Sequence, residues 1–153
     1  MSWAVEEVKV EEMGDLRLGR RLPRMLEKLA KRPEASPAEA FSGRAELTAA
    51  YRFWNNPRVS PRKILRGHVE QTVQRALEYP TVLAIQDTTE IDLTDHPATQ
   101  GTGYLASSRT RGLLMHSVFV VSETGMPLGT IRQIFWTRLL KHLGKRHQRR
   151  SRP

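Results

Sequence analysis

The spacing of apolar positions changes character part-way along the chain, near Tyr79-Pro80. Before that point it is helical. Leu18, Leu22, Met25, Leu26 and Leu29 fall on one stripe of a helix, as apolar residues three and four apart do. Arg17, Arg21, Arg24, Lys28 and Lys31 recur at the same interval, one residue out of step, and form a neighbouring basic stripe. Pro23 interrupts this pattern. An interior proline removes a hydrogen bond and crowds the preceding turn, so the helix is expected to bend or to begin late. In Ser36-Pro37-Ala38-Glu39 the serine and glutamate have the spacing of a capping box, and the proline suits a first helical position. A helix through Glu46 to Trp54 follows and is stopped by Asn55-Asn56-Pro57. Ser60-Pro61 opens another, with Ile64, Leu65, His68, Thr72, Val73, Ala76 and Leu77 on one face.

After Pro80 the pattern becomes extended. Thr81 to Asp87 is a short apolar run that ends on a carboxylate. Leu114 to Glu123 and Met126 to Trp136 are two further runs, and Thr124-Gly125 between them reads as a hairpin turn. The stretch from Asp95 to Gly112 is polar and reads as a loop. The expected class is α+β: an all-helical domain over residues 1–79, three antiparallel strands over 80–138, and a basic tail over 139–153.

Length and composition narrow this picture. A chain of 153 residues with 39% hydrophobic residues forms one soluble domain, or a small module beside a partial one. No run approaches the roughly 18 apolar residues that span a bilayer. The N-terminus is acidic and lacks the basic-then-apolar order of a signal peptide. There are no cysteines, which excludes disulfides and thiolate metal sites. The expectation is a cytoplasmic protein with no membrane partner.

Charge changes the picture more. Lys and Arg number 25 against 16 Asp and Glu, a formal net charge of +9. The cations crowd residues 17–32 and recur from Arg138 onward, while Leu77 to Leu105 has none. A basic face releases counterions when it meets a polyphosphate, so this clustering points to nucleic acid. The basic stripe fits a phosphate backbone, although charged helix faces are also ordinary solvated surfaces. In the segment Ala49 to Lys63, Arg52, Arg58, Arg62 and Lys63 are candidate phosphate contacts, while Tyr51, Phe53 and Trp54 read mainly as core anchors.

Asp87 raises the question of a metal. Phosphoryl chemistry with Mg²⁺-type ions needs several hard oxygen ligands. Strand side chains alternate, so Asp92 and Glu90 fall on the face opposite Asp87 if the strand continues. Asp95 and His96 lie in the loop, where no geometry is implied. On spacing alone Asp87 reads as a turn-forming residue. His116 shares a face with Leu114, Val118 and Val120, where a half-buried, hydrogen-bonded histidine is expected. Ser117 points to the other face, which excludes a Ser–His nucleophile pair in this strand.

Several segments together resemble a known family: residues 14–22 (GDLRLGRRL), 49–60 (AAYRFWNNPRVS), 82–94 (VLAIQDTTEIDLT), 111–129 (RGLLMHSVFVVSETGMPLG) and the tail GKRHQRRSRP. In order and spacing the chain resembles the N-terminal part of insertion-sequence-4 family transposases, the DDE group that includes the transposon-five enzyme. The resemblance implies a helical domain that binds double-stranded DNA at transposon terminal inverted repeats, followed by an RNase H-like core. It implies that Asp87 is the first catalytic, metal-binding aspartate, with Mg²⁺ or Mn²⁺ as the family's cofactor. It places DNA contacts on Arg21, Lys31 and Arg52, with Arg44 close to DNA. The second aspartate and the glutamate of a Tyr-Arg-Glu-Lys signature would fall beyond Pro153. The chain is therefore expected to be a truncated transposase fragment with an incomplete core, nucleoid-associated, that binds DNA ends without cutting them alone. A fragment that restrains full-length transposase is the alternative. A small metal-dependent hydrolase using Asp87, Asp92, Asp95 and His96 ranks below it.

Overall fold

The computed structural model describes residues 2–142 and divides into two compact units between Pro80 and Thr81. Most of the basic tail, residues 143–153, lies outside the described residues. The fold is α+β.

The first unit contains α1 (Trp3–Glu6), a 3-10 turn (Val10–Met13), α2 (Leu16–Lys31), α3 (Pro37–Ala40), α4 (Arg44–Trp54) and α5 (Pro61–Leu77). Gly14, with φ of 66°, ends the 3-10 turn, and the Asp15 carboxylate then accepts the Arg17 backbone N–H at 2.8 Å to cap α2. The helix passes through Pro23 without stopping. Expectation of a late start is corrected by burial: Leu22, Pro23 and Met25 all face the interior. Their packing keeps the helix whole at the cost of the hydrogen bond that the Gly19 carbonyl would have accepted. The capping box at α3 forms, with Glu39 accepting the Ser36 N–H at 2.8 Å and its hydroxyl at 2.7 Å. Pro61 occupies the first turn of α5. Val8, Met13, Leu18, Leu22, Met25, Phe41, Ala50 and Phe53 make one apolar core.

The segment Glu7–Val10 crosses two helices at glycines. A Cβ on Gly67 of α5 would lie 2.6 Å from the Glu7 carbonyl oxygen and 2.8 Å from the Lys9 nitrogen. A Cβ on Gly19 of α2 would lie 2.7 Å from the Val10 carbonyl oxygen. The Glu7 carboxylate then ties the segment to α5, accepting from Arg75 Nη1 and pairing with His68 Nδ1, each at 2.5 Å. Thr72 is fully buried beneath this cluster, donating to the His68 carbonyl at 2.8 Å and accepting from Arg75 Nη2 at 3.2 Å. Burial pushes the Glu7 carboxyl up, but hydrogen bonds and charge from Arg75 and His68 outweigh it and hold the group below the usual carboxylate range.

The second unit is an antiparallel sheet of β1 (Val82–Asp92), β2 (Gly103–Tyr104), β3 (Arg111–Ser122) and β4 (Pro127–Trp136). β3 is central, with β1 along one side and both β2 and β4 paired to it. The hairpin turn holds Gly125 at φ of 85°, and the buried Ser122 hydroxyl accepts the Met126 N–H at 3.0 Å. Four strands replace the three expected. The added β2 arises inside the expected loop because Gly103 leaves room for Arg138 and Tyr104 donates its N–H to the Arg138 carbonyl at 2.9 Å. β1 is also longer than expected. It continues past Asp87 to Asp92, in unbroken register with Gly112–Ser122, so Asp87 is mid-strand and not in a turn. Both faces of this sheet keep apolar side chains in solvent. On the Asp87 face Leu83 and Ile85 are about half exposed, at 53% and 51%, and on the other face Ile134 and Trp136 are also exposed.

Two outcomes follow from the glycine contact and the Glu7 cluster. Alanine exceeds glycine in helix propensity by about 1 kcal/mol, yet Gly67→Ala should destabilise the helical unit by about 1–3 kcal/mol, because backbone must move. Urea denaturation followed by circular dichroism measures the sign. For Glu7, the folded pKa lies below the ordinary value of 4.5, so its stabilisation is complete above that value and is lost as pH falls through the folded pKa. The urea midpoint of the parent should drop below about pH 5, and Glu7→Gln should lower the neutral-pH midpoint and flatten that drop.

Candidate nucleic-acid interface

The apolar stripe of α2 is fixed by the core, so its basic stripe is turned outward by helical geometry. Arg17 and Lys31 lie 14 residues apart on it, a rise of about 21 Å. Arg17, Arg24 and Lys31 are exposed, while Arg21 and Lys28 are half-buried. Arg20 joins the exposed set. Sequence reasoning passed over it, although its spacing from Arg17 and Arg24 places it on the same face.

On α4, Phe53 and Ala50 face the core, which leaves Arg44, Thr48 and Arg52 at four-residue intervals on the exposed side. The two helices flank an open cleft of about 530 Å³ whose floor includes Met25, Phe41, Ala45, Ala49 and Ala50. It adjoins a second hollow lined by Arg21, Arg44, Thr48 and Arg52. Small alanines between the rows of cations leave space for a bulky anion. Glu46 is the sole carboxylate among these lining residues.

The cations differ in what already holds them. Arg21 donates from Nη1 to the Ala49 carbonyl at 3.2 Å, which fixes α2 against α4. Lys28 Nζ donates to Glu46 at 2.8 Å and to the Ser42 hydroxyl at 3.1 Å. Arg17 and Arg58 share Asp15, at 3.8 and 4.0 Å. Among the described residues, no hydrogen bond or ion pair engages the side chains of Arg20, Arg24, Lys31, Arg44, Arg52 or Arg62. The expected aromatic anchors also divide. Phe53 is fully buried, whereas Tyr51 and Trp54 are partly exposed and contact each other edge-on at 5.6 Å. Trp54 in turn meets Phe41 edge-on at 6.0 Å.

Asp87 is exposed and sits opposite Ser117, with no hydrogen bond or ion pair to its side chain among the described residues. Strand alternation sets Glu90 and Asp92 on the other face. Glu90 pairs there with Arg138 at 3.3 Å, and Asp92 accepts the Thr94 N–H at 2.9 Å. Thr94 holds the Asp92 carboxyl below the usual range, first through its hydroxyl and then through its N–H. Asp95 and His96 remain in the loop after β1. Among the described residues, no three His, Asp or Glu side chains converge to hold a metal ion. His116 is half-buried and hydrogen-bonded as its spacing predicts, to the Thr88 hydroxyl at 2.8 Å and to Gln86 at 3.3 Å.

A family model described as transposase DNA-binding matches residues 1–59. The matched stretch runs from α1 to the turn before α5 and contains both walls of the basic cleft. The match supports a transposase N-terminal region here, with DNA as its partner. Among the described residues, no helix is long and apolar enough to cross a membrane.

The differing states of the cations have a measurable consequence. Arg24→Ala should lower the salt needed to elute the protein from phosphocellulose more than Lys28→Ala does, because Glu46 already compensates Lys28. Equal shifts for both variants would contradict this division.

Proposed function

We propose that the chain binds the terminal inverted repeats of a transposon as double-stranded DNA, in the manner of an insertion-sequence-4 type transposase. One observation carries this reading: Arg20 and Arg24 line the cleft and Arg44 and Arg52 the adjoining hollow, all without partners among the described residues and all inside the region matched to transposase DNA binding. Unpaired cations on two helix faces neutralise phosphates without first breaking internal ion pairs, and each neutralised phosphate releases counterions. Lys31 extends the row along α2, and Arg58 and Arg62 add to it from the turn before α5 and its first turn. Such binding places the protein with the nucleoid.

Asp87 is assigned as the first carboxylate of a DDE centre on an RNase H-like sheet. Mg²⁺ or Mn²⁺ does not fit on the described residues alone, since Asp87 has no second carboxylate on its face of β1. Hard divalent ions need several oxygen ligands. The remaining carboxylates of the proposed centre come from outside the described residues, and no cleavage step is assigned to this chain by itself. The solvent-exposed apolar residues of the sheet, Leu83, Ile85, Phe119 and Phe135, support a role beside further core structure. They equally favour a second reading, in which the chain pairs with an intact transposase and restrains it.

The test is a mobility-shift titration with inverted-repeat DNA. Arg24→Glu combined with Arg52→Glu should weaken binding by at least about tenfold near 0.1 M salt, with circular dichroism unchanged. Retained affinity in the folded double variant, or equal affinity for scrambled DNA in the parent, would sink the reading.

A further inference from the structure

Glu46 is out of character with its surroundings. It is the one carboxylate among the residues that line the basic cleft. Its oxygen Oε2 accepts from Lys28 Nζ at 2.8 Å and from the Ser42 backbone N–H at 3.0 Å, and Lys28 also donates to the Ser42 hydroxyl. A lysine ammonium and a backbone N–H converging on one oxygen form the kind of donor set that a phosphate oxygen takes. Yet the site is open. The Glu46 and Lys28 side chains are 46% and 34% exposed, so the pair is reachable from the cleft.

We propose that Glu46 is an internal counter-anion that holds down the affinity of the cleft for the DNA backbone, and that Lys28 is a phosphate ligand masked in the free protein. This rests on the DNA-binding reading and deepens it. Two observations beyond the ion pair support it. Among the described residues Arg20 and Arg24, on the same face of α2 as Lys28, have no carboxylate partner, and Arg17 meets only Asp15, which does not line the cleft, so Lys28 alone among the cleft's cations is paired with a carboxylate of the cleft itself. The pair also spans two helices, with Glu46 in the first turn of α4 and Lys28 in the last turn of α2. Its opening therefore needs only side-chain rotation. An exposed pair of this kind is weak, because solvent and salt screen it. A phosphate strand laid along the cleft, already held by the unpaired arginines, competes with Glu46 for the ammonium. A carboxylate left beside that strand repels it.

The experiment compares four forms of the full chain: the parent, Glu46→Gln, Lys28→Met, and the double variant. Glutamine keeps an acceptor for the Ser42 N–H and removes only the charge. Double-stranded DNA affinity is measured across a salt series, and Glu34→Gln, a charge change away from the cleft, serves as the control. Glu46→Gln should raise affinity about three- to tenfold near 0.1 M salt, with log affinity against log salt steeper by about 0.9, the increment of one further phosphate contact. Lys28→Met alone should change binding less than it does in the Glu46→Gln background, where it should cancel the gain. A gain no larger than that of Glu34→Gln, a loss of affinity in Glu46→Gln, or additive effects of the two substitutions would overturn the masking role while DNA binding stands. Absence of DNA binding by the parent would overturn both readings.

Discussion

Two helices can approach one strip of backbone only where no side chain stands between them, and the N-terminal unit is organised by that constraint. Gly19 and Gly67 let α2 and α5 close on Glu7–Val10 at distances that a single methyl group would forbid. With the strip seated, Val8 and Met13 reach the core beside Leu18, Leu22 and Met25. The Glu7 carboxylate is then placed against Arg75 and His68, where its hydrogen bonds offset the cost of its burial. Rotation of α2 about its own axis is thereby fixed, and so is the direction in which its arginines point.

Charge crowding on the outer face of α2 follows from this packing. Like charges three and four residues apart repel along an isolated helix, so the stripe is tolerated because the opposite face is buried. Arg21 serves the fold as well as the surface, since its bond to the Ala49 carbonyl sets α4 beside α2. The alanines of α4 that border the cleft keep it open between the two rows. The basic face is thus a by-product of core packing, sharpened by which cations are left unpaired among the described residues.

α2 and α5 were legible in the sequence because each carries a periodic apolar face, and α3 and α5 because each carries a chemical start signal, Ser36 with Glu39 and Ser60-Pro61. α1 and the 3-10 turn were not, being single turns without periodicity. The basic stripe was readable as a helix face, but the pairing of Lys28 with Glu46 joins residues 18 apart and depends on how α4 packs. β1 was read short because Gln86 to Glu90 is polar on both faces and only Ile91 is apolar beyond it. It forms through backbone bonding to β3, not through burial, and no alternation of side chains announces that. β2 depends on the approach of Arg138 to Gly103, a contact between segments distant in the chain. Parity did foretell that Asp87 and Asp92 would face apart.

The length of β1 has a consequence for how this polypeptide behaves in the cell. It pairs with β3 along one side for 11 residues, and among the described residues no strand bonds to its other side. Alternate N–H and C=O groups along that rim are a template for any extended chain, including another molecule of the same protein. The strand interior has no proline, glycine or lysine to deter such growth, and Asp87, Glu90 and Asp92 are its only charged side chains. Like charges brought side by side by in-register pairing repel, so these acidic residues are the strand's deterrent to edge-to-edge growth.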